Sequence, residues 1–159
     1  MRIVGIDPGV KNLGVCVVDV TDPVGETHAV TFIGTIDVTE FTKGIRCMDP
    51  YFETADLVAI ESQPGTNRNV TKIMHFVELY ARLKSKAAVV FIAPRTRLAF
   101  VRRHTSLETS SYKERKLASI EVARSLMRDA TEFDRLKKQD DPAEAFLCAY
   151  IARQQNLAE

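Results

Sequence analysis

The first third of the chain contains three successive apolar runs rich in β-branched residues, and this order constrains the fold more than any other feature. The runs at 2–7 (RIVGID) and 14–20 (GVCVVDV) flank the turn at Pro8-Gly9. The third run, at 28–38 (HAVTFIGTIDV), follows the turn signal Asp22-Pro23-Val24-Gly25. Consecutive strands joined by short turns predict an antiparallel meander.

The pattern then changes to alternating helix and strand. Residues 57–61 (LVAIE) and 88–93 (AVVFIA) are short, almost wholly apolar runs, which predict strands buried on both faces. Apolar residues at helical spacing predict helices over 69–84 and 111–128, and a last helix over 142–155. This order predicts an α/β fold with a mixed five-stranded sheet, three antiparallel strands followed by parallel ones, and helices on both faces.

Two helix starts carry capping signals. Ser111-Tyr112-Lys113-Glu114 is a capping-box pattern. Asp141-Pro142-Ala143-Glu144 predicts Asp141 as the N-cap and Pro142 as the first helical residue.

Length and composition indicate one ordinary globular domain. The 159 residues contain no linker or repeat, so we expect a single domain over 1–159. No signal peptide or membrane-length apolar run is recognisable, so an intracellular protein without a membrane partner is expected. The cysteines Cys16, Cys47 and Cys148 are widely separated, which argues against zinc and favours a reducing compartment, with Cys16 and Cys148 in the core.

The net charge of +1 hides an uneven distribution along the chain. Residues 63–138 contain 17 Lys and Arg against 7 Asp and Glu, whereas the remaining residues contain 5 against 14. A basic middle with acidic ends is typical of a protein in which one surface binds a polyanion and another binds cations, although solvated helices produce the same pattern by chance.

Four acidic residues stand where strands end or a helix begins. Asp7 and Glu61 follow two apolar strands, and Asp141 and Glu144 lie three residues apart at a helix start. Taken singly, each has a structural explanation. Asp7 could start a turn, Glu61 could be a solvated edge residue, and Asp141 and Glu144 could form a helix cap. Together they would concentrate negative charge, which is costly unless a cation neutralises it.

Carboxylates are the ligands that Mg²⁺ prefers, and two such ions can hydrolyse a phosphodiester. The histidines His28, His75 and His104 have no metal-ligand spacing. Phosphate-loop and dinucleotide-binding motifs are not recognisable, so no nucleotide cofactor is expected.

Several motifs resemble a known family. The segment 3–9 (IVGIDPG), followed by Gly14, resembles the N-terminus of RuvC-type Holliday junction resolvases, and 58–63 (VAIESQ) resembles their second acidic strand. The segment 92–95 (IAPR) is similar to the stretch after their fifth strand. The segment 137–147 (KKQDDPAEAFL) resembles the closing motif of the poxvirus and yeast mitochondrial branch.

This resemblance implies an RNase H-like nuclease that cuts four-way DNA junctions as a homodimer, by paired symmetric nicks. It implies that two Mg²⁺ ions, replaceable by Mn²⁺, are held by Asp7, Glu61, Asp141 and Glu144. The family usually has Asp at the position of Glu144, and this departure leaves Asp140 open as an alternative to Asp141. Lys113 matches the basic residue that neutralises charge on the scissile phosphate. The implied DNA contacts are Asn67, Arg68, Arg95, Arg102, Arg103 and Lys116.

Three alternatives remain at this point. The first is a ribonuclease similar to ribonuclease H or the YqgF family, for which the DDPAEAFL ending and Lys113 are less typical. The second is a catalytically inactive module that binds junctions. Glu144 favours it, because the family usually has Asp at this position. The third is an actin-like ATPase. Such a protein needs two domains and a second phosphate loop, for which 159 residues leave no room. The resemblance to viral and organellar proteins makes the host cytoplasm, the nucleus or an organelle the expected location.

Overall fold

The computed structural model describes residues 1–20 and 29–156. Five strands form one mixed sheet in the order β3-β2-β1-β4-β5. β1, β2 and β3 pair antiparallel, whereas β4 pairs parallel with both β1 and β5. The predicted mixed sheet is therefore confirmed. The turn signal at 22–25 and residue 28 lie outside the described residues. The strands are β1 (Arg2–Asp7), β2 (Asn12–Asp19), β3 (Ala29–Asp37), β4 (Leu57–Glu61) and β5 (Ala88–Ile92).

Helices cover both faces of the sheet, as predicted. The three expected helices are present with slightly different ends, and the capping box of Ser111 and Glu114 is formed. In chain order the helices are α1 (Phe41–Gly44), a 3₁₀ helix (Ile45–Met48), α2 (Asp49–Glu53), α3 (Arg68–Lys84), α4 (Pro94–His104), α5 (Tyr112–Leu126), α6 (Thr131–Asp134) and α7 (Asp140–Asn156).

Strand alternation divides the apolar side chains between two cores. In β1, Ile3 packs in the core that contains α5 and α7, whereas Val4 and Ile6 pack in the core that contains α3. In β4, Ala59 belongs to the first core and Ile60 to the second. The face of the sheet on which each side chain lies thus follows from its position in the strand.

Helix α7 is buried on almost all sides between the sheet and α5. Two glycines allow its backbone to approach the strands closely. A Cβ atom on Gly5 would lie 2.1 Å from the carbonyl oxygen of Ala145, and one on Gly14 would lie 2.3 Å from that of Asp141. Any side chain at these positions would push α7 away from the sheet.

Three local expectations were wrong. β5 is an edge strand with Ala88 and Phe91 exposed, so it is not buried on both faces. Helix α7 begins at Asp140, so Asp141 is not the N-cap. Pro142 instead lies third in the helix, where its missing N–H still costs no intrahelical hydrogen bond.

Helix α4 was not predicted from the sequence. It begins with Pro94 at the first helical position, and its apolar residues are interspersed with arginines, so that only Phe100 and Val101 are buried. Pro94 directly after a strand, together with Leu98 and Val101 three residues apart, is the signal that could have identified it.

Two further expectations concern composition. Cys16 and Cys148 are buried in the core, as predicted. Within residues 1–20 and 29–156, the helices are too short or too polar to span a membrane.

The close approach of α7 predicts that Gly5→Ala lowers the free energy of unfolding by about 1–3 kcal/mol, because the added methyl group overlaps a backbone oxygen. Gly65→Ala is the matched control, since a Cβ atom there has no neighbour within 4 Å. Urea unfolding of both variants measures the difference. Equal stability of the two variants would contradict the proposed packing.

Candidate active site

Asp7 and Glu61 are the last residues of two neighbouring parallel strands. The register pairs Ile6 of β1 with Ile60 of β4, so the two acids follow side by side. Asp7 lies on the same face as Ile3, and Glu61 on the same face as Ala59, because side chains alternate along a strand. Both carboxylates therefore face α7.

Glu144 reaches the same place from the first turns of α7. Asp7, Glu61 and Glu144 each offer one carboxylate oxygen, and these oxygens lie within 4.8 Å of one another. Asp7 is 9% exposed and Glu61 4%, and the side chain of Glu144 is 13% exposed. We call these three residues the acidic cluster.

The cluster is electrostatically unfavourable by itself. Burial raises the pKa of Asp7 well above its usual range, and the neighbouring carboxylates of Glu61 and Glu144 raise it further. Burial also raises the pKa of Glu144, although Arg97 opposes the shift. Each pair of like charges within this separation costs at least about 3.5 kcal/mol at an effective dielectric constant of about 20, so the ionised cluster requires a cation.

A cation that sequence reasoning missed lies against the cluster. Arg97 of α4 donates from Nε to Oε1 of Glu61 at 2.8 Å, and its Nη1 lies 3.1 Å from Oε1 of Glu144. The same Nη1 donates to the hydroxyl of buried Ser119 at 3.1 Å. Although burial opposes the shift, Glu61 and Glu144 raise the pKa of Arg97, which therefore stays charged. Arg97 escaped prediction because α4 itself was not predicted.

The acidic cluster fits a hard divalent cation. Its donors are carboxylate oxygens on three separate elements, and their spacing allows one ion to contact all three. Arg97 supplies one positive charge against three carboxylates, so the ionised cluster has room for a further cation. Mg²⁺ and Mn²⁺ suit such a donor set, whereas zinc prefers nitrogen and sulfur ligands.

The adjacent acids Asp140 and Asp141 point to lysines instead of the cluster. Lys116 of α5 donates to Asp140, and its Nζ lies 3.5 Å from Oδ1 of Asp141. Lys138 donates to Oδ2 of Asp141. Although burial opposes the shift, the ammonium group of Lys116 lowers the pKa of Asp140. Which of the two acids is a cation ligand stays a prediction.

A basic depression lies next to these ion pairs. Four lysines line it together with Tyr112, whose ring centroid lies 5.0 Å from the ammonium nitrogen of Lys116. Lys116 contacts the acids of α7, whereas Lys113 is exposed on the first turn of α5. We call this depression the lysine groove and define it by Lys113, Lys116, Lys137 and Lys138.

The remaining predicted DNA contacts lie on two helix starts and one helix end. Asn67 caps α3 by accepting a hydrogen bond from the backbone N–H of Val70, and Arg68 is exposed beside it. Arg95 is exposed on the first turn of α4, and Arg102 and Arg103 are exposed at its end. Their roles toward DNA stay predictions.

Three solved structures share this fold. A fowlpox virus resolvase in complex with Holliday junction DNA is 23% identical, with a TM-score of 0.71 and 99% of each chain covered. Thermus thermophilus RuvC in complex with a Holliday junction substrate is 15% identical, with a TM-score of 0.64 and 99% and 96% covered. The yeast mitochondrial Holliday junction resolvase is 14% identical, with a TM-score of 0.60 and 99% and 82% covered. The predicted RNase H-like fold is thereby confirmed.

Sequence comparison leads to the family itself. None of the curated protein sequences matches the chain. The family model described as Poxvirus A22 protein matches residues 1–153. This match includes β1, β4 and the first three turns of α7, which carry Asp7, Glu61 and Glu144. The resemblance to the poxvirus branch noted in the sequence motifs is confirmed, and the chain belongs to the Poxvirus A22 protein family.

Proposed function

We propose that this protein is a divalent-metal-dependent endonuclease that resolves four-way DNA junctions. The observation that carries the proposal is the acidic cluster of Asp7, Glu61 and Glu144, with its oxygens within 4.8 Å of one another. The fold is shared with two resolvases bound to Holliday junction DNA, which supports branched DNA as the substrate. Membership of a poxvirus family supports a viral protein that acts in the host cytoplasm.

The acidic cluster would hold Mg²⁺, or Mn²⁺ in its place, with Asp141 or Asp140 completing a site for two ions. When bound, such ions activate a water molecule and stabilise the leaving oxygen of a phosphodiester. Asp7 and Glu61 lie on rigid strand ends, which hold their carboxylate oxygens in place as ligands. Glu144 would supply a third carboxylate from α7. Hydrolysis of this type leaves 5′-phosphate and 3′-hydroxyl ends.

Lys116 contacts the acids at the start of α7, whereas Lys113 is exposed. The ammonium group of Lys116 contacts Asp140 and Asp141 at the start of α7, within reach of a phosphate that enters the site. We therefore assign to Lys116 the neutralisation of charge on the scissile phosphate, and to Lys113 a contact with the DNA backbone.

The lysine groove would bind the DNA strand that leaves the active site. It places four ammonium groups beside the acids of α7, and exposed Tyr112 adds an aromatic face against which a base or sugar can pack. Asn67 and Arg68 follow β4 and Arg95 follows the parallel strand β5, so they would supply further phosphate contacts at the same edge of the sheet. Recognition by phosphate contacts favours junction shape over base sequence.

Two symmetric nicks require two active sites, so we propose a homodimer. Helix α3 offers the surface for it. Phe76, Leu79 and Leu83 are 52%, 56% and 75% exposed and recur along one face of this helix. A large apolar stripe on a surface helix is typical of an interface, and a two-fold contact would pair the stripe with its own copy.

Cleavage assays test the central proposal. With Mg²⁺, we expect paired symmetric nicks in a labelled four-way junction, and no cutting of a linear duplex or an RNA–DNA hybrid. Asp7→Asn removes a charged ligand and should lower the rate at least about 100-fold, since even the loss of a residue that only supports a metal ligand costs about 10–100-fold. Glu53→Gln, an exposed acid at the end of α2, is the matched control.

Either of two results would contradict the proposal. Cutting of the RNA–DNA hybrid in preference to the junction would indicate a ribonuclease. Junction binding without any metal-dependent cut would indicate an inactive binding module.

The lysine groove predicts a salt effect. Lys113→Ala combined with Lys137→Ala should weaken junction binding and reduce the slope of log K against log salt concentration by about one for each phosphate that the groove no longer neutralises. Lys43→Ala is the control, because Lys43 lies on α1 on the opposite face of the sheet. Fluorescence anisotropy at several salt concentrations measures both quantities. An unchanged slope in the double variant would rule out the groove as a DNA-binding surface.

The α3 stripe predicts the dimer interface. Leu79→Glu combined with Leu83→Glu would place charge in an apolar contact and should convert a dimer into a monomer in analytical ultracentrifugation. Leu107→Glu is the matched control, because Leu107 is an exposed leucine, 44% accessible, that lies outside α3. A double variant that stays dimeric would place the interface elsewhere.

A further inference from the structure

We propose that Arg97 is a built-in counter-charge that takes the place of a divalent cation at the acidic cluster in the metal-free protein. Arg97 is thus a positioning residue, which acts through the carboxylates it holds. The inference rests on the proposed function, because it takes Asp7, Glu61 and Glu144 to be cation ligands.

The contacts of Arg97 connect the elements that build the site. The guanidinium group extends from α4 to Glu61 at the end of β4, to Glu144 on α7 and to Ser119 on α5. Its side chain is 12% exposed, so these ion pairs are largely shielded from water. A planar guanidinium can donate to several oxygens at fixed angles, which orients both glutamates before any ion arrives.

Charge balance explains why such a residue is needed. Three ionised carboxylates in nearly buried positions repel one another, and each must lose most of its hydration. Arg97 compensates one of the three negative charges. When all three carboxylates are ionised, the two charges that remain equal the charge of one divalent cation, which would bind beside the arginine.

Removal of Arg97 should therefore have two measurable consequences. The metal-free protein would lose the cation that keeps the cluster together, so folding would come to depend on Mg²⁺. The cluster would also gain one negative charge at short range, so a divalent cation would bind more tightly. A residue that only fills space would produce neither effect, because its removal would lower stability equally with and without the metal.

The test compares thermal unfolding of the full chain in EDTA and in saturating Mg²⁺, together with Mn²⁺ binding followed by electron paramagnetic resonance. For Arg97→Met, which keeps the bulk but removes the charge, we expect the increase in Tm caused by Mg²⁺ to be at least about twice that of the wild type. We expect Mn²⁺ to bind at least about tenfold more tightly. Arg97→Lys restores the charge and should return both values toward those of the wild type.

Arg124→Met is the matched control. Arg124 also pairs with a carboxylate, Asp134, at 2.7 Å, but on the exposed side of α5. Its removal should leave both the Mg²⁺-induced increase in Tm and the affinity for Mn²⁺ at the wild-type values.

The possible failures are distinguishable. If the wild type binds no Mn²⁺, the proposed function fails and the inference fails with it. If the wild type binds Mn²⁺ and cuts junctions, while Arg97→Met shows an unchanged increase in Tm and unchanged affinity, only the inference fails.

Should Arg97→Met not fold even with Mg²⁺, adding Glu144→Gln removes one negative charge. Folding of that double variant in EDTA would support the counter-charge, because the charge balance of the wild type is restored. A double variant that also fails to fold would show that Arg97 acts through packing and would overturn the inference.

Discussion

Helix α7 lies so close to the sheet that its backbone leaves no room for side chains at Gly5 and Gly14, and the candidate site depends on this approach. Asp7 and Glu61 are brought side by side by the parallel register of β1 and β4. Their carboxylates form a three-acid cluster only because α7 brings Glu144 to the same face. Gly5 and Gly14 thus determine how closely the acid of α7 approaches those at the ends of β1 and β4.

The close packing has an electrostatic cost that the rest of the chain compensates. Helices α4 and α5 lie on the α7 side of the sheet and supply Arg97, Ser119 and Lys116, which contact the acids directly or through Arg97. Arg97 neutralises part of the acidic cluster, and Lys116 and Lys138 together pair with Asp140 and Asp141. The uneven charge distribution along the sequence therefore corresponds to contact in space, with the basic middle of the chain folded against acids from both ends.

Much of this arrangement could be predicted from local patterns. Period-two alternation and strand ends locate Asp7 and Glu61, and helical spacing locates Glu144. Arg97 could not be predicted, because its partners Glu61 and Glu144 are distant in sequence and its helix has a weak apolar pattern. Likewise, the exposure of β5 depends on its position at the sheet edge, and the lysine contacts of Asp140 and Asp141 depend on how α5 packs against α7. These are tertiary properties, which local patterns do not encode.

The central claim is that β1, β4 and α7 together form a cation site from Asp7, Glu61 and Glu144. The most direct measurement is anomalous X-ray diffraction from crystals of the wild-type protein grown with Mn²⁺. We expect an anomalous peak within coordination distance of all three carboxylates. A peak bound only by other acids, or no peak in crystals of a protein that cuts junctions with Mn²⁺, would contradict it.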